Sequence, residues 1–273
     1  MTTFVYDCQH KDTIYERDWG KLTGDATHIT FVNAQNVTCV GDYFLDGCKS
    51  LPSIDLSGLN NVTEIGDAFL LHCKSLTSID LSPLSKVTKV GGGFLSECTS
   101  LESIDLSPLS NVTHVGNWFL WRCDSLKSID MYPLSNVTHV SDYFLGRCKS
   151  LTSIDLSPLS NVTEVGDAFL FQCESLTSID LSPLSKVTKV GRGFLYGCES
   201  LTSINLSPLS KVTHVGEMFL SECKSLTSVD LSPLEKNIPN IKARCPHLEP
   251  RMVYRIINKI KACFIYNRKK GDK

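Results

Sequence analysis

Between Val37 and Leu234 the apolar residues fall into nine columns, headed by Val37, Val40, Phe44, Leu45, Cys48, Leu51, Ile54, Leu56 and Leu59. Each column recurs every 25 residues through eight copies, without an insertion or deletion. Fixed self-similarity at this period marks a solenoid, in which no rung buries its apolar face alone and each is covered by its neighbours. A deletion would move every later side chain of a rung off its column, so the length is held. Within a copy such as "LTSIDLS", Ile154 and Leu156 alternate with Ser153, Asp155 and Ser157. That period of two predicts a strand with one buried face, ended by Pro158, which has no N–H to donate. Rungs running in the same direction then pair these strands in parallel at about 4.8 Å. "ATHITFVNA" supplies a degenerate first strand with Ile29 and Phe31 in phase.

Around this core the pattern predicts three parts. Residues 1–25 form an N-terminal cap, with Phe4, Tyr6 and Trp19 as apolar cover, and residues 26–234 form the solenoid. Residues 235–273 form a basic segment in which Val253, Ile256, Ile257, Ile260, Cys263 and Phe264 recur at helical spacing. This amphipathic helix is expected to cap the last rung. Its alternative is peripheral membrane contact, with Arg255, Lys259, Lys261 and residues 268–270 facing lipid phosphates. No apolar run is long enough to span a bilayer.

The stretch "LTSIDLSPLSNVTEVGDAFLFQC" resembles the leucine-rich repeat skeleton LxxLxLxxL followed by a V/IxxIGxxxF half and a closing Cys. It is similar to the BspA-like (Treponema-type) class, known from bacterial surface antigens and protist proteins. The resemblance implies an α/β-type leucine-rich repeat solenoid of about eight rungs, mostly β and loop, with a parallel sheet on one face. It also implies a surface adhesin or antigen that binds host or matrix proteins. The opening residues do not read as a leader, so a cytoplasmic location is expected, with the cell surface as the alternative.

Charge and cysteine usage refine the picture. Residues 1–234 carry 16 Lys/Arg against 26 Asp/Glu, a net of −10, whereas residues 235–273 carry 11 against 3, a net of +8. An acidic body steers basic partners. Eight of the twelve cysteines form the column Cys48, Cys73, Cys98, Cys123, Cys148, Cys173, Cys198 and Cys223. Lying between the Phe-Leu pair and the next Leu, they read as a buried ladder of free thiols. Side chains from parallel rungs point alike, which disfavours disulfides, and no Cys/His spacing supports a metal ladder.

Nothing in the motifs points to an enzyme, a cofactor, a metal or a nucleic-acid partner. "VGGGF" at 90–94 recurs as "VGRGF" at 190–194 with no helix behind it, so it is a loop phase and not a phosphate cradle. A protein-binding scaffold is the expected function. One candidate surface is the acidic strip of Asp80, Asp105, Asp130, Asp155 and Asp180, which suits a basic partner. The other lies in the fourth and fifth rungs, where Trp118, Trp121, Arg122, Tyr132, Tyr143 and Arg147 bring residue types enriched at binding hot spots. His114 and His139 share a column on the same two rungs.

The repeat was itself copied. Residues 61–110 match 161–210 at 40 of 50 positions, so a four-rung block was duplicated and the differences carry more information than the identities. Within it, Glu64 and Glu164 are placed to pair with Lys89 and Lys189 across rungs. Asn36, Asn61, Asn111, Asn136, Asn161 and Asn205 open N-x-S/T sequons and are expected to be unglycosylated turn residues.

Overall fold

The computed structural model describes residues 3–15, 25–227 and 229–237. Trp19 and the whole C-terminal amphipathic segment lie outside the described residues. Eight coils stack in register, here called rungs one to eight from residue 37 onward, with rung four at 112–136 and rung five at 137–161. The nine columns converge on a single continuous interior.

The parallel pairing is present, but in a different phase of the repeat from the one expected. Short strands occupy the VTx(V/I) segment: β4 Cys39–Val40, β5 Glu64–Ile65, β6 Lys89–Val90, β7 His114–Val115, β8 Glu164–Val165, β9 Lys189–Val190 and β10 His214–Val215. With β2, Thr13–Ile14, the strands β2, β4, β5, β6 and β7 form one parallel sheet, and β8, β9 and β10 form another. The LTSIDLS segment carries no strand in rungs one to seven; it runs irregularly into 3-10 turns such as Ser107–Leu109 and Ser157–Leu159. Alternation correctly gives the buried side, since Leu156 is buried and Asp155 exposed. It does not supply a hydrogen-bond ladder, because the S-P-L turn tightens the chain and Pro, sitting inside that turn, starts the 3-10 geometry as well as stopping the extended segment. Only at the N-terminus is this phase a true strand pair. There β1, Thr3–Asp7, pairs with β3, His28–Val32, placing Phe4 beside Ile29 and Tyr6 beside Phe31.

Aromatic stacking runs the length of the interior. From Phe31 through Phe44 and on to Phe219, successive ring centroids lie 5.1–6.2 Å apart, with interplanar angles of 26° or less. Every Phe of the repeat column is fully buried, and burial of one such side chain contributes roughly 1.5–3 kcal/mol.

The eight repeat cysteines are free and buried, as the pattern predicts. Each thiol from Cys73 to Cys223 also donates to the carbonyl of a Leu 28 residues earlier, at 3.1–3.3 Å. Those leucines, Leu45 through Leu195, hold left-handed backbone with φ of 50–54°. The thiol thereby satisfies a buried acceptor on a strained turn. Burial keeps these groups protonated, pushing Cys98 and Cys148 up to about 12.

One joint interrupts the ladder. In seven rungs a Gly follows the VTx(V/I) segment, and its N–H reaches the preceding rung, as in Gly116 to Val90 at 3.0 Å. A Cβ at Gly116 would run into the backbone of Gly91 and Gly92. Rung five has Ser141 at this position, and its Oγ donates to the Val115 carbonyl at 2.6 Å. The side chain fills the close approach, and strand pairing is absent between Val115 and Val140. Val140 keeps only an isolated bridge to Val165. The joint falls where the two four-rung blocks meet.

Candidate functional site

The acidic strip is exposed along its length, and its carboxylates are engaged in turn formation. In every rung Oδ1 accepts the N–H two residues on: Asp80 from Ser82 at 2.8 Å, Asp105 from Ser107 at 2.8 Å, Asp130 from Tyr132 at 2.9 Å, Asp155 from Ser157 at 2.8 Å and Asp180 from Ser182 at 2.9 Å. This is an Asx turn that starts the 3-10 segment. At Asp80 the Ser82 amide is the main cause holding the carboxyl below its usual value; at Asp105, Asp155 and Asp180 the serine hydroxyl leads. Uncharged Asn205 accepts from Ser207 in the same way at 3.0 Å. An oxygen acceptor, not a charge, is what this column requires.

The residues singled out in rungs four and five are divided by the fold. His114 and His139 are exposed in the VTx(V/I) phase, and each ring bonds the preceding threonine, at 2.9 and 3.0 Å. Tyr132 is 72% exposed in its 3-10 turn, a third phase of the repeat. Trp118, Trp121, Arg122, Tyr143 and Arg147 gather on the Phe-Leu side. There Trp118 stacks on Tyr143 at 5.8 Å, and Trp121 meets the same ring edge-on at 5.0 Å. Of the two predicted cross-rung ion pairs, Lys189–Glu164 closes to 3.9 Å; Glu64 and Lys89 pair in strand register without an ion pair.

The two tryptophans differ in kind. Trp121 is half-buried and lies across Gly146, where any Cβ would collide with its indole, to reach Phe171 at 6.1 Å. It fills a slot. Trp118 is 47% exposed and has φ of 58°, a conformation in which the equivalent positions of rungs three and seven hold Gly93 and Gly193. A bulky side chain in left-handed backbone costs of order 1–3 kcal/mol, and half of this indole recovers nothing by burial.

Arg122 donates to Glu97 at 2.8 Å, while the Arg147 guanidinium makes no ion pair among the described residues. Nε of both arginines and Oδ1 of Asp124 are buried without a partner.

Sequence reasoning missed the feature bordering Trp118. A groove of about 330 Å³ runs from Tyr43 to Trp118 and Trp121, floored by Ala68, Leu71 and Gly93 and flanked by Asp67, His72 and Glu97. It exists because rungs two and three carry small residues between two aromatic walls. Its signal was in the sequence, as the run Tyr43, Ala68, Gly93, Trp118 down one column. At Tyr43 and Asp67 it adjoins a wider trough of about 880 Å³ lined by Tyr15, Asp42, Glu64 and Lys89.

The family model described as BspA type Leucine rich repeat region matches residues 22–152 and 138–249, and the chain belongs to that family. Among solved structures, it is similar to a leucine-rich repeat protein of Treponema pallidum, at 19% identity over 72% of this chain and 88% of that one, with a TM-score of 0.49. It is also similar to the functional domain of InlJ from Listeria monocytogenes, which includes a cysteine ladder (17% identity, 86% of this chain, 47% of that one, TM-score 0.47). A third is a leucine-rich cell surface protein of Faecalibacterium prausnitzii (24% identity, 70% of this chain, 42% of that one, TM-score 0.43). No curated protein matches the chain by sequence. Among the described residues no helix is long and apolar enough to cross a membrane, and no cluster of His, Cys, Asp or Glu could hold a metal.

Proposed function

We propose that the chain is a non-catalytic scaffold that binds protein through the Phe-Leu side of rungs four and five. Trp118 carries this reading: a half-exposed indole on strained backbone, stacked on Tyr143, is costly for the fold and suited to contact. Such residues dominate the energetics of interfaces. Trp121 supports the patch from beneath. Tyr132, His114 and His139 stand in other phases of the repeat and would belong to a partner's wider footprint.

The test is capture of partners from the source cell by wild-type protein and two variants. Trp118→Gly suits the left-handed backbone and leaves the fold intact, and is expected to lose the partner. Tyr132→Ser restores the residue of the neighbouring rungs and is expected to keep it. Equal capture by Trp118→Gly and wild type overturns the proposal. The adhesin reading uses the same patch, and labelling of intact source cells with an impermeant reagent separates a surface role from a cytoplasmic one.

A further inference from the structure

We infer that the Tyr43–Trp118 groove is a seat for a basic peptide segment, with one Lys or Arg side chain laid along its floor; this rests on the reading of the chain as a protein-binding scaffold.

The duplication supplies the first argument. Ten positions separate residues 61–110 from 161–210, and eight residues of the first stretch line the groove. Five of those eight have changed: Leu71 to Phe171, His72 to Gln172, Gly92 to Arg192, Ser96 to Tyr196 and Glu97 to Gly197. The other forty-two positions hold only five changes. The effect is to cover the second floor. Phe171 and Tyr196 stack at 4.6 Å, and a Cβ on Gly193 would touch the Phe171 ring at 3.3 Å. On Gly93 it would meet nothing nearer than the backbone of Ala68 at 3.4 Å. The first block keeps open what the second fills.

Charge and shape name the occupant. Asp67 and Glu97 line the groove, and Asp46 holds His72 at 2.9 Å beside it. Against Arg122, which pairs with Glu97, these three carboxylates leave the groove negative whichever protonation state His72 adopts. The aromatic faces of Trp118 and Tyr43 attract a guanidinium or ammonium. Three rungs separate the two walls, roughly 15 Å at the parallel-strand spacing. That length admits an extended side chain with flanking backbone and exceeds what a single small cation would fill. Glu64 and Asp42 in the adjoining trough continue the negative surface, with Lys89 the only cation lining it among the described residues.

The experiment titrates the full chain, labelled with 15N, with the peptide acetyl-Ala-Lys-Ala-Arg-Ala-amide and with its Glu-for-Lys, Asp-for-Arg counterpart. The basic peptide is expected to shift the amides of Gly92, Gly93, Ser96 and Glu97 saturably, and the acidic one to leave them in place. The five-residue variant Leu71→Phe/His72→Gln/Gly92→Arg/Ser96→Tyr/Glu97→Gly installs a surface the same fold already carries 100 residues later, so it is expected to fold and to bind at least tenfold more weakly. Unchanged affinity in that variant, equal binding of the acidic peptide, or shifts spread along the Asp105–Asp155 turns instead of the groove each overturn the inference. If Trp118→Gly still loses the cellular partner in such a case, the scaffold reading stands without this one.

Discussion

Rungs two and three and rungs six and seven bury the same interior: Phe69 and Phe94 stack at 5.2 Å, Phe169 and Phe194 at 5.5 Å, and each layer has its thiol on a Leu carbonyl. Outside that interior they part. Ala68 and Gly93 lie open between aromatic walls, whereas Ala168 and Gly193 belong to a surface that Phe171 and Tyr196 have taken over. Stacking constrains the inward columns because each side chain must match the copies above and below it. A side chain on the outer turn is bound to the adjoining rung only where it reaches that far, as Trp121 does over Gly146. Duplication supplied two copies of this surface, and in the second Phe171 and Tyr196 cover the floor that lies open in the first.

The comparison breaks most severely at the core. Phe94→Ala and Phe194→Ala are each expected to cost about 3–5 kcal/mol, and to agree with one another within about 1 kcal/mol, in urea unfolding followed by circular dichroism. A large disparity would mean that the two interiors are not equivalent. The next effect separates the tryptophans at the junction. Trp121→Ala empties the slot over Gly146 and is expected to cost roughly 1–3 kcal/mol, whereas Trp118→Gly, which relieves left-handed strain, should stay within about 1 kcal/mol of wild type. Equal losses would return Trp118 to a packing role.

A smaller effect concerns Asp105, whose counterpart in the second block is Asn205. Its carboxyl titrates below the usual carboxylate value because the Ser107 hydroxyl and amide favour the charged form. A depressed folded-state value stabilises the protein above the unfolded value of 3.8 and loses that contribution as pH falls through the folded one. Asp105→Asn is therefore expected to leave Tm unchanged at neutral pH and to make its decline shallower as pH falls below the unfolded value of 3.8. The reverse change, Asn205→Asp, steepens it. Thiol chemistry gives the slightest distinction: the repeat cysteines of both blocks should resist iodoacetamide, while half-exposed Cys39, its thiol pushed up by partial burial and the nearby Glu64, is expected to react slowly at pH 8 and faster as pH rises, as peptide mass mapping would show.

Much of this was legible before any coordinates. Nine apolar columns at one period specify a shared interior, and the placing of Cys148 between Phe144-Leu145 and Leu151 specifies a buried thiol. The strands were misplaced because alternation reports which side is buried and not where amides find partners. Ile154 and Leu156 alternate without a ladder; Glu164 and Val165, too short a pair to show a period, possess one. The Asp column shows its charge in the sequence but its turn-forming role only in the structure, where uncharged Asn205 makes the same bond. Trp118 and Trp121 stand out from the other residues of their columns, and Tyr143 by lying one rung on from them. The groove escaped because small residues such as Ala68 and Gly93 announce themselves only when the walls around them are in place.

Ser141 has a mechanical consequence. Where the other rungs are clasped through glycine, this one is held on the VTx(V/I) side by a single hydroxyl, so the stack has a hinge line midway along its length. Twisting or pulling should open it there first, with hydrogen exchange at Thr138 and Val140 faster than at Thr113 and Val115, and Ser141→Gly should erase the difference. Trp118 and Tyr143 straddle that line two residues further along the coil, so whatever grips them also splints the joint.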